Sequence, residues 1–323
     1  MKFDRRTGTA IFSMLAVAAA AIIYFAVLPH DRPVFKTAFP VMGTVAEISV
    51  YSEKELNTAF KLCKNEFDAV NRICSLFSAE SELSRINANA FDAPVKCSDE
   101  MWYLLMRSKE AFIESGGKFD ITVKPLMDLW GFYRKRDSEP SKEEIDAVMK
   151  KVGFDKLIFD EKEKTIRFSV PEMALDMGGI AKGYAVDRAA EALIANGINS
   201  GVIDLGGNLK LLPVAPEYKT FYHIGIKNPA NKSEILPEAE KVLPGTAVST
   251  SGHYERFVIY NGVRRSHIIS VETGYPVSGS AVTVFAPKAV DADIFSTVCT
   301  IGGKDIAEKL KKKYPEIKII FAR

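Results

Sequence analysis

The sequence predicts an α+β fold, with helices packed on mixed and antiparallel sheets. Three observations predict it. Amphipathic helical stretches and short strands are intermixed along the chain, two hairpin signals join strands directly, and the composition is that of an ordinary globular protein, 47% hydrophobic and 26% charged. Hairpins tie antiparallel neighbours, so a purely parallel sheet is not expected. At 323 residues the chain has ample length to bury a core.

The amino terminus comes first. Lys2, Arg5 and Arg6 precede Ala10 to Leu28, 19 positions without a charge. As a helix this run spans about 28 Å, the thickness of a bilayer's hydrocarbon layer. It predicts a transmembrane anchor over 10–28 within a basic flank and linker over 1–33, followed by a single folded body over 34–323. The basic flank stays inside and the body is exported, on the periplasmic side of the inner membrane. A cleaved signal peptide is the alternative, although Phe25 to Pro29 offers no small-x-small site. The first cysteine is Cys63, which disfavours a lipoprotein.

The body opens with a strand over 43–51. Leu56, Phe60, Cys63, Phe67, Val70, Cys74 and Phe77 then recur at steps of four and three, one buried helical face. A second helix spans 99–114 and stops at Ser115-Gly116-Gly117. Ser141 and Glu144 form a capping box for a third. Residues 157–159 and 165–170 read as a hairpin with a charged turn. A helix over 183–195 leads into a buried strand, 201–205. Further strands are expected over 221–226, 247–249, 256–260, 263–269 and 281–286, with the hairpin signal Asn261-Gly262 between two of them. Helices over 292–301 and 304–313 and a strand over 317–321 close the chain.

Charge excludes one class of function. Basic and acidic residues number 43 and 41, and no basic run of the body, Lys311-Lys312-Lys313 included, exceeds three residues, so there is no electrostatic footprint for nucleic acid. Cys63, Cys74, Cys97 and Cys299 include no C-x-x-C pair, and His30, His223, His253 and His267 form no H-E-x-x-H, so thiolate and histidine zinc sites are not expected. Export permits disulfides. Cys63 and Cys74 lie about 16 Å apart along one helix and cannot bridge each other, and buried free thiols are the expectation.

Three clusters carry chemistry. Asp176-Met177-Gly178-Gly179-Ile180-Ala181-Lys182-Gly183 places glycines before a helix, where backbone N–H groups attract anions, but it matches neither the dinucleotide fingerprint nor the P-loop. Phosphate binding and a tight structural turn both remain open there. Asp204-Leu205-Gly206-Gly207-Asn208 follows a strand, as ligand loops do, and reads equally as a bulge. Asp293 and Thr297 share a helical face and suit magnesium, or one of Asp291 and Asp293 caps that helix. Counting outward from Asn261-Gly262 pairs Arg256 with His267. A cation there favours the neutral imidazole, the form that accepts a proton.

Together the motifs resemble the family of FAD:protein FMN transferases, the ApbE-type flavin transferases also known as thiamine-biosynthesis lipoproteins. The resemblance runs from about Phe39 to the carboxyl end. It is carried by Met42-Gly43-Thr44, Ser81 to Asn87, Gly117 to Val123 with Pro125-Leu126, Asp176 to Asp187, Asp204 to Gly207, Ser249 to Gly252, His267 to Pro276 and Ala292 to Thr297. It implies FAD as substrate, Mg²⁺ on its diphosphate, and transfer of FMN through a phosphoester to a threonine of an exported or membrane acceptor, such as a subunit of a membrane redox complex, releasing AMP. It further implies the Ala181 carbonyl with the Asp293 and Thr297 side chains as metal ligands, and His267 as the base. Met42, Asp176, Gly178, Gly179, Lys182, Asp204, Gly206, Gly207 and Ser251 would line the flavin or its phosphates. Ser270-Val271 stand where the family has Asp-Pro, which questions the rigidity of that turn. FAD hydrolysis to FMN and AMP, or flavin binding without catalysis, are the competing functions. Ser278 to Thr283 loosely resembles the acceptor pattern, but Val282-Thr283-Val284 reads as a strand.

Overall fold

The computed structural model describes residues 33–322 apart from 218, 227, 229–234, 236–239 and 254–255. Within them lie fourteen strands and seven α-helices. The predicted anchor over 10–28 lies outside the described residues. No helix among the described residues is long and apolar enough to cross a membrane.

One seven-stranded sheet organises the body. Its order is β1 (Phe35–Val41), β2 (Thr44–Val50), β6 (Gly201–Leu205), β7 (Asn208–Leu211), β10 (Ala247–Ser251), β13 (Ala281–Ala286) and β14 (Lys318–Ala322), and every neighbouring pair is antiparallel. Three long helices cover one face. These are α1 (Glu53–Cys74), packed on β1 and β2; α6 (Ala181–Ala195), packed on β6 and β7; and α7 (Ala289–Lys313), packed on β10 and β13. Phe67, Leu193 and Phe295 are buried between these layers. Each such side chain contributes about 1.5–3 kcal/mol relative to exposure. On the opposite face the ribbon β8 (Tyr222–Ile224) and β9 (Glu240–Val242) covers Leu211, Val248 and Phe285.

The remaining elements flank this sandwich. Helix α2 (Glu82–Asn89) is capped by Ser81, α3 (Asp99–Glu114) by Ser98, and α5 (Lys142–Met149) by the predicted Ser141–Glu144 box. A small sheet orders β3 (Val95–Lys96), β5 (Thr165–Phe168) and β4 (Leu157–Asp160). Helix α4 (Lys124–Leu129) and α5 pack with β11 (Phe257–Tyr260) around Trp130, a second core. Strand β11 turns into β12 (Val263–Ser266) through Asn261 and Gly262, both at positive φ (51° and 77°), the type I′ geometry that this dipeptide favours.

The structure corrects several expectations. Helix α1 ends at Cys74, where Ser75 is extended, so Phe77 lies beyond the buried stripe and is 79% exposed. Strand β1 was not anticipated. Its inward residues alternate correctly, but Pro40 argues against a strand unless it lies on a sheet edge, which β1 does. The two predicted carboxyl-terminal helices form one helical run broken at Gly303 (φ 64°, ψ −154°). All four cysteines are buried and free, as expected.

Candidate active site

Where α6 and α7 begin beside β10, the protein encloses a cavity of about 760 Å³. Two walls define it. One is built from the helix layer and the other from the β11–β12 ribbon and the loop after it.

The helix wall is tied together by hydrogen bonds. The buried Asp293, 3% exposed, accepts the Gly183 N–H at Oδ2 (2.9 Å), and the Lys182 Nζ stands 3.6 Å from its Oδ1 and 3.1 Å from the Gly178 carbonyl. That approach requires glycine at 183, because a Cβ there would stand 2.3 Å from the Ala289 carbonyl oxygen. A Cβ at Gly179 would lie 3.7 Å from Thr297 Oγ1. Ser251 Oγ lies 3.2 Å from Thr297 Oγ1 and 2.8 Å from Ser296 Oγ. The start of α7 has no cap of its own. Asp187 of α6 supplies one, accepting the Ala289 and Val290 N–H groups at 2.8 and 2.9 Å. Ahead of α6, Asp176 accepts the Gly178 N–H (2.8 Å) and the Tyr133 hydroxyl (2.6 Å). Burial and the adjacent Asp176 push the Tyr133 phenol up, so it stays a donor.

On the ribbon wall the predicted register holds. His267 pairs with Arg256, and the Arg256 carbonyl accepts both the backbone N–H and Nδ1 of His267 (3.1 and 3.0 Å). Nδ1 therefore carries the proton and Nε2 is left as an acceptor. Burial first, then the Lys182 and Arg256 charges, hold the imidazole down to about 4. The Arg256 guanidinium lies over the rings of Phe132 and Tyr133. Tyr260 donates to the Trp130 carbonyl (2.9 Å), and Trp130 Nε1 donates to the Gly274 carbonyl (2.8 Å). The Ser270-Val271 turn is held by backbone bonds, Ser270 N–H to Tyr275 O (2.9 Å) and Gly274 N–H to Ser270 O (2.7 Å).

Of the sequence-derived residues, Met42, Asp176, Gly178, Gly179, Ala181, Lys182, Gly206, Ser251, His267, Asp293 and Thr297 all line this cavity. Asp204 and Gly207 stand behind its wall: Asp204 Oδ1 accepts the Gly207 N–H (2.7 Å) and shapes the turn that presents Gly206. Sequence reasoning gave no role to Tyr133, Asn208 or Phe77, which also face the cavity. Phe77 continues the spacing of a helical stripe, and Asn208 closes the second glycine cluster without a role of its own there. Thr283 is 1% exposed on β13 and bonded to Thr250 Oγ1 (2.8 Å), so it serves the sheet and is closed to modification.

The donor set can be tested against a divalent cation. Among the described residues no three His, Cys, Asp or Glu side chains gather to hold a metal. A cation here would rest on one carboxylate and neutral oxygens, the hard ligands magnesium takes. A buried carboxylate beside a hydroxyl one turn on fits that role, with only an ammonium at 3.6 Å to balance it.

The chain resembles known proteins over most of its length. The model of the ApbE family matches residues 42–321. FAD:protein FMN transferase of Haemophilus influenzae is 29% identical over 308 residues, 92% of this chain and 89% of that one. A protein of the same name from Klebsiella pneumoniae is 31% identical over 274 residues, covering 83% and 82%. The crystal structure of an ApbE protein from Thermotoga maritima matches with a TM-score of 0.81 at 30% identity, covering 90% of this chain and 94% of that one. Flavin transferase ApbE from Vibrio cholerae matches with a TM-score of 0.76 at 26% identity, covering 90% and 94%. With the family model matching residues 42–321 and the fold shared over nine-tenths of the chain, this chain belongs to the ApbE family.

Proposed function

We propose that this protein is an FAD:protein FMN transferase that moves the FMN half of FAD to a threonine hydroxyl of an acceptor protein and releases AMP. One observation carries the reading: a proton-accepting imidazole nitrogen, an ammonium and a carboxylate–hydroxyl pair meet in a single cavity. Phosphoryl-group transfer asks for positioned charge and a base near the nucleophile.

His267 Nε2 takes the proton of the threonine hydroxyl as that oxygen bonds to the FMN phosphorus. The bond from this phosphorus to the bridging oxygen breaks, and its electron pair leaves on AMP. The Nδ1–H bond to the Arg256 carbonyl fixes the tautomer and aims the ring. Lys182 supplies positive charge for the diphosphate, and the Gly178-Gly179 turn, braced by Asp176 and Tyr133, brings backbone close to it. Mg²⁺ would be held by the Ala181 carbonyl, Asp293 and Thr297 and would offset charge on the diphosphate oxygens.

The same reading extends to the chain's organisation. Residues 10–28 anchor the 34–323 body to the inner membrane, and the acceptor is an exported or membrane protein. Incubating the full-length chain with FAD, Mg²⁺ and a flavin-acceptor domain, then weighing the acceptor, tests the activity. The expected result is a mass gain of one FMN less water. An unchanged acceptor with accumulating FMN and AMP would establish hydrolysis instead, and unconsumed FAD would leave binding alone.

A further inference from the structure

The strands of the main sheet give the body two ends. At one end lie the turns that reach the cavity, Met42-Gly43-Thr44 between β1 and β2 and Gly206 between β6 and β7, together with Ser251 at the close of β10. At the opposite end Phe35, where β1 begins, pairs with Val50, and Val50 pairs with Gly201. The chain enters the fold there. The seven residues of β1 separate the two ends, about 20 Å at the rise of a strand.

Three aliphatic side chains stand out from the entry end. Val34 precedes β1 and is 43% exposed, while Val214 is 53% and Leu243 67% exposed. The loops that carry the latter two are tied to this end. The Val214 N–H donates to the Asn199 carbonyl (3.0 Å), and Gly245, two residues after Leu243, donates its N–H to the Leu212 carbonyl (3.2 Å). Tyr51 follows β2 here with the Lys219 ammonium 5.9 Å from its ring centroid, an aromatic and a lysine of the kinds that membrane interfaces favour. Charge at this end is mixed, Lys54 standing beside Glu53 at the start of α1, so apolar surface decides what it meets.

We propose that the entry end rests on the lipid surface and that the cavity opens at the end of the body turned away from it, a placement that rests on residues 10–28 being an anchor. Six residues, 29–34, lie between that run and Phe35, and fully extended they reach no more than about 25 Å. So short a tether holds the end carrying Phe35 near the headgroups, where Val34, Val214 and Leu243 find apolar contact. An acceptor threonine then meets the cavity roughly 20 Å clear of the lipid.

The test inserts the full-length chain into phosphatidylcholine vesicles whose headgroups carry nitroxide. All four native cysteines are buried, so Val214→Cys, Leu243→Cys and Phe77→Cys, at exposed positions, each accept a single dye. Dyes at Val214 and Leu243 should be quenched roughly twofold or more and one at Phe77 left unchanged, since nitroxide acts near contact and the sheet spans about 20 Å. In vesicle-bound protein, no quenching at Val214 and Leu243, or equal quenching at Phe77, overturns the placement and leaves the anchor standing. Energy transfer between dyes at Val214 on separate chains, without quenching by lipid, gives this face to a second copy and overturns it too. A chain that does not float with the vesicles overturns the anchor reading itself.

Discussion

The two walls of the cavity are built to different standards. The helix wall stands on the seven-stranded sheet, with α6 and α7 locked by the Asp187 cap, the Gly183 contact and the Asp293 hydrogen bond. The ribbon wall is a two-stranded hairpin beside a smaller core, held by Tyr260, Trp130 and the loop that ends at Pro276. An isolated hairpin gains little stability by itself. The contrast teaches a division of labour. In the proposed reaction Lys182 and Asp293 stand on the sheet-backed wall and the base stands on the lighter ribbon wall.

Breaking either wall at its chemical centre should give the largest effects. His267→Ala should slow transfer by roughly 10²–10⁴-fold while FAD affinity stays within about twofold, as read by turnover and by calorimetry. Asp293→Ala should cost roughly 10²-fold at low Mg²⁺ by weakening metal binding, with partial recovery at high Mg²⁺; unchanged Mg²⁺ affinity in a folded variant would remove Asp293 from the metal site. Next comes Gly183→Ala, which forces a Cβ against the Ala289 carbonyl and the Asp293 Cβ. It should destabilise by about 1–3 kcal/mol in urea unfolding and weaken metal binding too. Tyr260→Phe should cost about 1 kcal/mol by leaving the buried Trp130 carbonyl unpaired, and should disturb the ribbon wall alone.

The smallest effect concerns pH. The base must be neutral, and in the free enzyme its burial holds His267 down to about 4, so kcat/KM should keep its plateau well below the ordinary histidine range near 6.5 and fall only toward pH 4. The same depression acts on stability. The unfolded histidine binds a proton below about 6.5 and the folded one only near 4, so this contribution is complete above 6.5 and lost as pH falls through that window. An activity profile bending near 6.5 would contradict it.

The walls also differed in how far the residues announced them. Helix α3 over 99–114 and strands 201–205 and 281–286 were read to the residue, because caps and glycines bound them sharply. The Arg256–His267 pairing followed from the two-residue turn, whose period of two fixes every partner beyond it. What could not be read was contact between remote segments. Asp187 capping a helix a hundred residues on, and Tyr133 bracing Asp176, depend on packing that no local pattern records. The end of α1 was missed because Phe77 continues its spacing, while Ser75 ends the helix.

The buried cysteines have a practical consequence. Burial pushes the Cys63, Cys74 and Cys299 thiols up to about 12 and Cys97 to about 11, so hardly any thiolate exists at neutral pH. Maleimide probes should therefore ignore the native protein. A dye attached through Phe77→Cys at the cavity rim would be a single, site-defined reporter of ligand entry.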